Sequence, residues 1–190
     1  MNEICFVTGN KNKLREVQSL LSNYKIVSLD DLHFSEDIAE TENTIQGNAE
    51  LKAKFINNRF NIDCFSDDTG LFIDSLDGLP GVKSARYAGD NCSSDENIDL
   101  VLKNLKNISN RNASFRTVIC LIKNNKTYLF EGVVNGKITE ERVGHDGFGY
   151  DPIFIPHGYD KTFSELTINE KNAISHRGIA INKLVNFLNG

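Results

Sequence analysis

The sequence predicts an α/β fold on a mixed β-sheet. Short apolar runs of strand length alternate along the whole chain with segments whose apolar residues recur at helical spacing. A hairpin-type turn joins two of the runs directly. No repeat and no low-complexity linker interrupts the 190 residues, so 1–190 reads as one domain.

The elements follow in order. Ile4 to Val7 is a short buried strand running into the loop Thr8-Gly9-Asn10-Lys11-Asn12-Lys13. Leu14, Val17, Leu20 and Leu21 then mark one face of a helix. Ile26-Val27 is a second strand, and residues 30–43 are acidic and loop-like. From Thr44 a helix carries Ile45, Ala49, Ala53 and Ile56 on one side. Cys64-Phe65-Ser66 is a short strand expected to end at Asp67-Asp68-Thr69-Gly70, with apolar character resuming at Leu71. Pro80-Gly81 marks a turn. Ser93-x-x-Glu96 is a capping box opening a helix with Ile98, Val101, Leu102 and Leu105 on its inner face.

Phe115 to Ile122 is apolar on both alternating faces, as a central strand would be, and residues 123–126 turn it into a partner from Tyr128 to Val134. Asn135-Gly136 is a further turn signal. Residues 144–158 are rich in glycine and aromatics. A second capping box, Thr167-x-x-Glu170, opens a helix with His176-Arg177 expected near its end, and Ile181, Leu184, Val185 and Leu188 line a final amphipathic helix.

The net charge of -5 argues against a protein that coats nucleic acid. It does not exclude a small anionic ligand, because a few local lysines can outvote the global sign. Cys5, Cys64, Cys92 and Cys120 are isolated and read as buried or incidental thiols. Met1-Asn2-Glu3 offers no basic leader, and Ile4–Val7 is too short for a membrane span. The expected compartment is the cytoplasm.

Four segments carry candidate chemistry. The strand–loop–helix around Thr8 to Lys13 has the form of a phosphate cradle, with helix-start amides and Lys11 and Lys13 as donors; a solvated loop with surface lysines is the plainer alternative. It is not a Walker A loop. Asp67-Asp68-Thr69-Gly70 places two carboxylates on alternating faces, so one can hold a metal while the other bonds the scaffold; an acidic turn is the alternative. Gly147-Phe148-Gly149-Tyr150-Asp151-Pro152 either presents Phe148 for stacking on a base or forms an aromatic-plugged turn. Lys171 and Ser175-His176-Arg177-Gly178 either donate to a ligand or complement a helix dipole.

Together these segments resemble the inosine triphosphate pyrophosphatase family. The matching pieces are Thr8-Gly9-Asn10-x-x-Lys13, Ser66 to Leu71, Pro80-Gly81-Val82-x-Ser84-Ala85-Arg86-Tyr87-Ala88-Gly89, Gly147 to Phe154 and Ser175 to Gly178. They stand in series from Phe6 to Gly178, and five in order are far more specific than any one. The resemblance implies an elongated mixed sheet with flanking helices, two lobes around a nucleotide cleft, and a homodimer. It implies Mg²⁺-dependent hydrolysis of deaminated purine nucleoside triphosphates (ITP, dITP, XTP) to monophosphate and pyrophosphate. It also implies roles. Thr8, Gly9, Asn10, Lys11, Asn12 and Lys13 would bind triphosphate, and Thr69 would touch substrate. Asp68 would be both base and metal ligand, with Glu40 sharing the metal; Glu36 and Glu42 stand in the same segment. Phe148, Gly149, Tyr150, Asp151, Lys171, His176 and Arg177 would surround base and sugar. Whether Ser84 and Arg86 touch phosphate or brace the site stays open.

Three rival readings fit the residues less well. A related pyrophosphatase for pyrimidine or modified nucleotides is opposed by Phe148 and His176-Arg177. A ligand sensor without turnover has no use for Asp68 beside phosphates. A nucleic-acid-binding domain lacks the charge and the aromatic–basic stripe.

Overall fold

The computed structural model describes residues 2–21 and 23–190; Met1 and Ser22 lie outside the described residues. Seven strands form one open sheet: β1 (Asn2–Val7), β2 (Tyr24–Val27), β3 (Cys64–Ile73), β4 (Pro80–Gly81), β5 (Asn112–Lys123), β6 (Lys126–Ile138) and β7 (Phe154–Pro156). Their order is β2-β1-β3-β5-β6-β7, with β4 paired to β3. Parallel pairing of β1 with β2 and β3, and antiparallel pairing of β3 with β4 and β6 with β7, make the sheet mixed. The helices are α1 (Lys11–Leu20), α2 (Ile45–Phe60), α3 (Ser94–Asn104), α4 (Ile168–Ile174) and α5 (His176–Asn189). None is long and apolar enough to cross a membrane, among the described residues.

The chain divides into two compact units. The first comprises Met1–Asp68, Thr117–Gly132 and Arg177–Gly190. Its central strand, β1, buries Ile4, Cys5, Phe6 and Val7 in succession, as expected where a parallel strand is covered on both faces. On one face Phe6 stacks on Phe65 at 4.6 Å, and Val17 of α1 and Leu21 just after it join Ala180, Ile181 and Leu184 of α5 there. Each of the larger side chains among these, fully buried, contributes ~1.5–3 kcal/mol. The α2 helix contacts the strand residues of opposite parity, Cys64 Sγ donating to Ala53 O at 3.3 Å and Ser66 Oγ donating to Ala49 O. Thr44 caps α2 by accepting from Gly47 N at 3.0 Å, and Asn61 ends it in the left-handed region at φ 52°.

The second unit comprises Thr69–Arg116 and Val133–His176. Leu71, Ile73, Ile98, Val101, Leu105, Phe115, Phe154 and Phe163 form its core, Phe115 meeting Phe154 edge-on at 4.7 Å. Both capping boxes read from the sequence are formed, and a third, Thr162 with Glu165, closes a short 3-10 turn. Arg111 satisfies three carbonyls at once: Nε donates to Ile138 O (2.8 Å), Nη1 to Leu105 O (3.1 Å) and Nη2 to Thr139 O (2.5 Å).

Three local expectations are corrected. Strand β3 does not end at Asp67; it continues through Gly70 to Ile73, and a Cβ on Gly70 would lie 2.7 Å from Gly81 O, so glycine there serves a close strand pairing. Pro80-Gly81 forms β4 and opens the expected turn, Lys83 N donating to Pro80 O at 3.1 Å with Gly81 at φ 57°, while a further reversal sits at Asp77-Gly78, with φ values of 53° and 81°. Asn135-Gly136 is not a turn but the interior of β6, where a Cβ on Gly136 would lie 2.3 Å from Ile155 O. The glycine signals backbone approach; the hairpin turn sits at Asn124-Asn125, both left-handed, within the expected residues 123–126. Finally, Ser175 at ψ 157° breaks the C-terminal helical stretch, so His176 and Arg177 open α5 instead of closing α4. The dipole-complementing explanation of those two residues therefore falls, since they stand at the positive end.

Candidate active site

Strand alternation sets the first half of the site. Along β3, Phe65 and Asp67 face α1 and α5, whereas Cys64, Ser66 and Asp68 face α2. Asp67, 2% exposed, accepts from Lys13 Nζ at 3.0 Å and Arg177 Nε at 3.2 Å. Burial alone would raise its pKa, but the charges of Lys13, Arg177 and Lys52 hold it far below the usual carboxylate range. Arg177 also donates from Nη1 to Glu16, itself buried, so two arms of its guanidinium are committed to carboxylates. Burial lowers the Lys13 ammonium from its usual value, with Lys52 and Arg177 adding to the effect and Asp67 opposing it.

Asp68 has a different environment. Asn48 Nδ2 donates to its Oδ2 at 3.2 Å, while Asn48 Oδ1 accepts from the Glu42 backbone at 3.0 Å, tying the preceding loop to the strand. Lys52 Nζ lies 2.6 Å from Glu40 Oε1 and 3.8 Å from Asp68 Oδ1. Burial raises the Asp68 pKa; Lys52 opposes this and the Glu40 charge adds to it. Burial opposes the Lys52 charge, yet Asp68, Glu40 and Asp67 outweigh it and keep the ammonium protonated. Of the three glutamates in this segment, Glu40 stands beside Asp68 and Lys52, whereas Glu36 is exposed and pairs with Arg59 at 2.8 Å. Glu42 is exposed, its Cβ packed where a side chain on Gly47 would go.

At the start of α1, Gly9, Asn10, Lys11 and Asn12 are exposed, and Thr8 and Lys13 are half-buried. Asn10 is the N-cap: its Oδ1 accepts from Asn12 N (2.9 Å) and Lys13 N (3.2 Å), two of the amides that a phosphate cradle would offer. Thr8 Oγ1 takes the Asn10 amide at 3.1 Å.

The other candidate residues belong to the second unit. Gly147 and Gly149 have φ of 83° and 60°, and a Cβ on Gly147 would fall 2.3 Å from Asp151 Oδ2. That oxygen accepts from Phe148 N at 2.8 Å and from Lys171 Nζ at 2.7 Å. The Lys171 ammonium lies 4.6 Å from the Phe148 ring centroid, a cation–π contact that sets the half-buried ring in place. His176 stacks flat on Phe115 at 4.5 Å. Tyr150 is buried, with its hydroxyl donating to Ser84 O at 2.7 Å. Ser84 in turn accepts from Leu71 N (2.8 Å) and donates to Gly81 O (2.6 Å), so it braces the β3–β4 turn. Thr69 is half-buried in β3.

Glu16, Asn48, Lys52 and Phe115 escaped the sequence reading. The signal for two of them was present. Asn48 and Lys52 fall on the stripe of Ile45, Ala49, Ala53 and Ile56, and polar side chains on a helix's inner stripe need partners.

Comparison with known proteins gives the chain a family. The chain is 50% identical over 186 residues to a dITP/XTP pyrophosphatase of Flavobacterium psychrophilum, spanning 97% of this chain and 98% of that one. It is 46% identical over 190 residues to a protein of the same name from Porphyromonas gingivalis, spanning 99% and 98%. Its structure matches that of the Staphylococcus aureus Ham1 protein with a TM-score of 0.91 at 38% identity, covering 100% and 99% of the two chains. A HAM1 protein from Coxiella burnetii gives the same TM-score, 0.91, at 40% identity. With the Ham1 family pattern matched from residue 4 to residue 187, the chain belongs to the Ham1 family.

Proposed function

We propose that the protein hydrolyses the α–β phosphoanhydride of deaminated purine nucleoside triphosphates (ITP, dITP and XTP), releasing the nucleoside monophosphate and pyrophosphate. The observation that carries the reading is the pair Asp68 and Glu40 gathered around one ammonium, Lys52 Nζ, at 3.8 and 2.6 Å. A basin that already holds a cation between two hard oxygen donors suits Mg²⁺, which takes one or two carboxylates and completes its shell with water and phosphate oxygens. Asp68 and Glu40 would hold it, and it would supply charge neutralisation of the polyphosphate.

The protein's own groups do the rest. Asp68, made more basic than an exposed aspartate by burial, takes the proton of the water attacking the α-phosphorus as the bond to the bridging oxygen breaks. Asn48 fixes the orientation of that carboxylate. The loop Thr8 to Lys13 binds the departing pyrophosphate, and Thr69 contacts the substrate. Phe148, held by Asp151 and Lys171, offers its face to the base; Gly149 and Tyr150 shape that loop. His176 and Arg177 donate toward the 6-oxo group of hypoxanthine or xanthine, which adenine lacks.

The relatives named dITP/XTP pyrophosphatase support this reading. Four free cysteines suit the reducing cytoplasm, and the negative net charge suits a protein that does not bind nucleic acid. We place it there as a homodimer. The test is to incubate the protein with Mg²⁺ and a nucleotide panel and separate the products. Monophosphate and pyrophosphate from ITP and XTP are expected; diphosphate and orthophosphate as first products would refute the assignment.

A further inference from the structure

We infer that Lys52 is a built-in counter-ion that closes the Asp68–Glu40 pair to a bare divalent cation and releases it when a polyphosphate arrives. The inference rests on reading that pair as the metal site. The Lys52 ammonium makes a 2.6 Å ion pair with Glu40 and stands 3.8 Å from Asp68, next to both carboxylates proposed to hold the metal. Its side chain is only 12% exposed, so solvent screens the charge weakly. A divalent cation entering alone must displace the ammonium or sit against it. Asp68 cannot swing away to a new position cheaply, because Asn48 holds its other oxygen.

A polyphosphate changes that balance. Lys52 carries its charge on a flexible four-carbon stem with three rotatable donors. Given a nearby polyanion, the head group can leave Glu40 and keep a partner, and the two carboxylates then face the metal without a competing cation. Metal and polyphosphate binding are therefore positively coupled, and by linkage each raises the affinity of the other equally. At rest Lys52 offsets part of the charge of the two carboxylates, and the metal enters with the nucleotide.

The test measures Mn²⁺ binding directly, by the free-ion electron paramagnetic resonance signal, with and without imidodiphosphate as a non-hydrolysable partner. Wild type, Lys52→Met and Lys52→Arg are compared, with Lys52→Gln replacing the Met variant if thermal melts show that it does not fold. Without imidodiphosphate, Lys52→Met should bind Mn²⁺ about tenfold or more tightly than wild type, since a unit charge beside the site has been removed. Lys52→Arg, which keeps the charge, should stay weak. Imidodiphosphate should tighten Mn²⁺ binding about tenfold in wild type and distinctly less in Lys52→Met. Equal Mn²⁺ affinity in wild type and Lys52→Met, with metal-dependent turnover intact in wild type, would overturn the interlock and leave the metal site standing. Mn²⁺ binding to neither protein, with or without imidodiphosphate, would remove the site and the interlock together.

Discussion

Asp67 and Asp68 are neighbours on one strand, yet the same substitution should act on them in opposite ways. Asp67→Asn removes the charge that faces Lys13 at 3.0 Å and Arg177 at 3.2 Å in a 2% exposed position. Breaking a buried ion pair from one side costs about 3–5 kcal/mol, because the remaining charges stay buried. At roughly 2–4 °C per kcal/mol for a chain of this size, the melting temperature should fall by roughly 6–20 °C. Asp68→Asn removes a charge that the fold disfavours. The amide keeps an acceptor for Asn48, so stability should hold or rise slightly while kcat drops by about 10²–10⁴-fold or more. Calorimetry and steady-state rates on both variants decide the matter. An Asp68→Asn protein that melts below Asp67→Asn, or one that keeps most of its kcat at saturating Mg²⁺, would reverse the assignment of scaffold and base.

The acid limb separates the two further. The Asp67 pKa is depressed on folding, so its contribution is fully present above the unfolded value of about 3.9 and is lost as pH falls through the lower folded value. The gap in melting temperature between wild type and Asp67→Asn should therefore be constant from neutral pH down to about 4 and narrow only below it. Asp68 has the opposite sign: its folded pKa is raised, so protonation on acidification relieves a cost. The Asp68→Asn advantage should shrink as pH falls through that raised value.

Gly147→Ala should disrupt the Phe148 loop, since its Cβ would lie 2.3 Å from Asp151 Oδ2 at a φ of 83°. A rise in KM for ITP with a smaller change in kcat is expected, and an unchanged KM would detach this loop from substrate binding. Turnover of ITP and XTP should exceed that of ATP by more than about tenfold in kcat/KM, because donors aimed at O6 meet a donor in adenine; His176→Ala should narrow the gap. Sedimentation should show a dimer that buries apolar side chains such as Phe55 and Leu129, exposed by 39% and 42% in the single chain. A monomer at micromolar concentration would refute it.

The fold was legible wherever local physics decides alone. Capping boxes at Ser93 and Thr167, the inner stripes of α2 and α3 and the hairpin at Asn124-Asn125 all depend on residues close in sequence. The misreadings at Gly70 and Gly136 share one cause. In sequence each glycine suggests a chain break, but each exists because another backbone passes within 3 Å of where its Cβ would stand, which only tertiary structure reveals. In the site, the carboxylates and the Gly147–Asp151 loop were visible as motifs. Their partners were not: Glu16 meets Arg177 across 161 positions, and Asn48 and Lys52 look like ordinary helix polar residues until β3 is laid beside α2.

The phosphate loop shows why motif and mechanism differ. A helix start with two lysines suggests donors waiting for an anion. In the folded chain, the amides of Asn12 and Lys13 already serve the Asn10 side chain, and the Lys13 ammonium already serves Asp67. A triphosphate that engages these groups must exchange partners with the protein, not simply add to it. Each exchange returns roughly what it removes, so Lys13 and these amides supply little net attraction. Exposed Lys11 adds one charge to the loop, and the rest has to come from charge that the resting site lacks. On the proposed reading, a divalent cation at Asp68 and Glu40 would add that charge, and Lys52 would turn from the carboxylates to the polyphosphate. The loop would then be one part of an exchange that proceeds only when metal and nucleotide are both present.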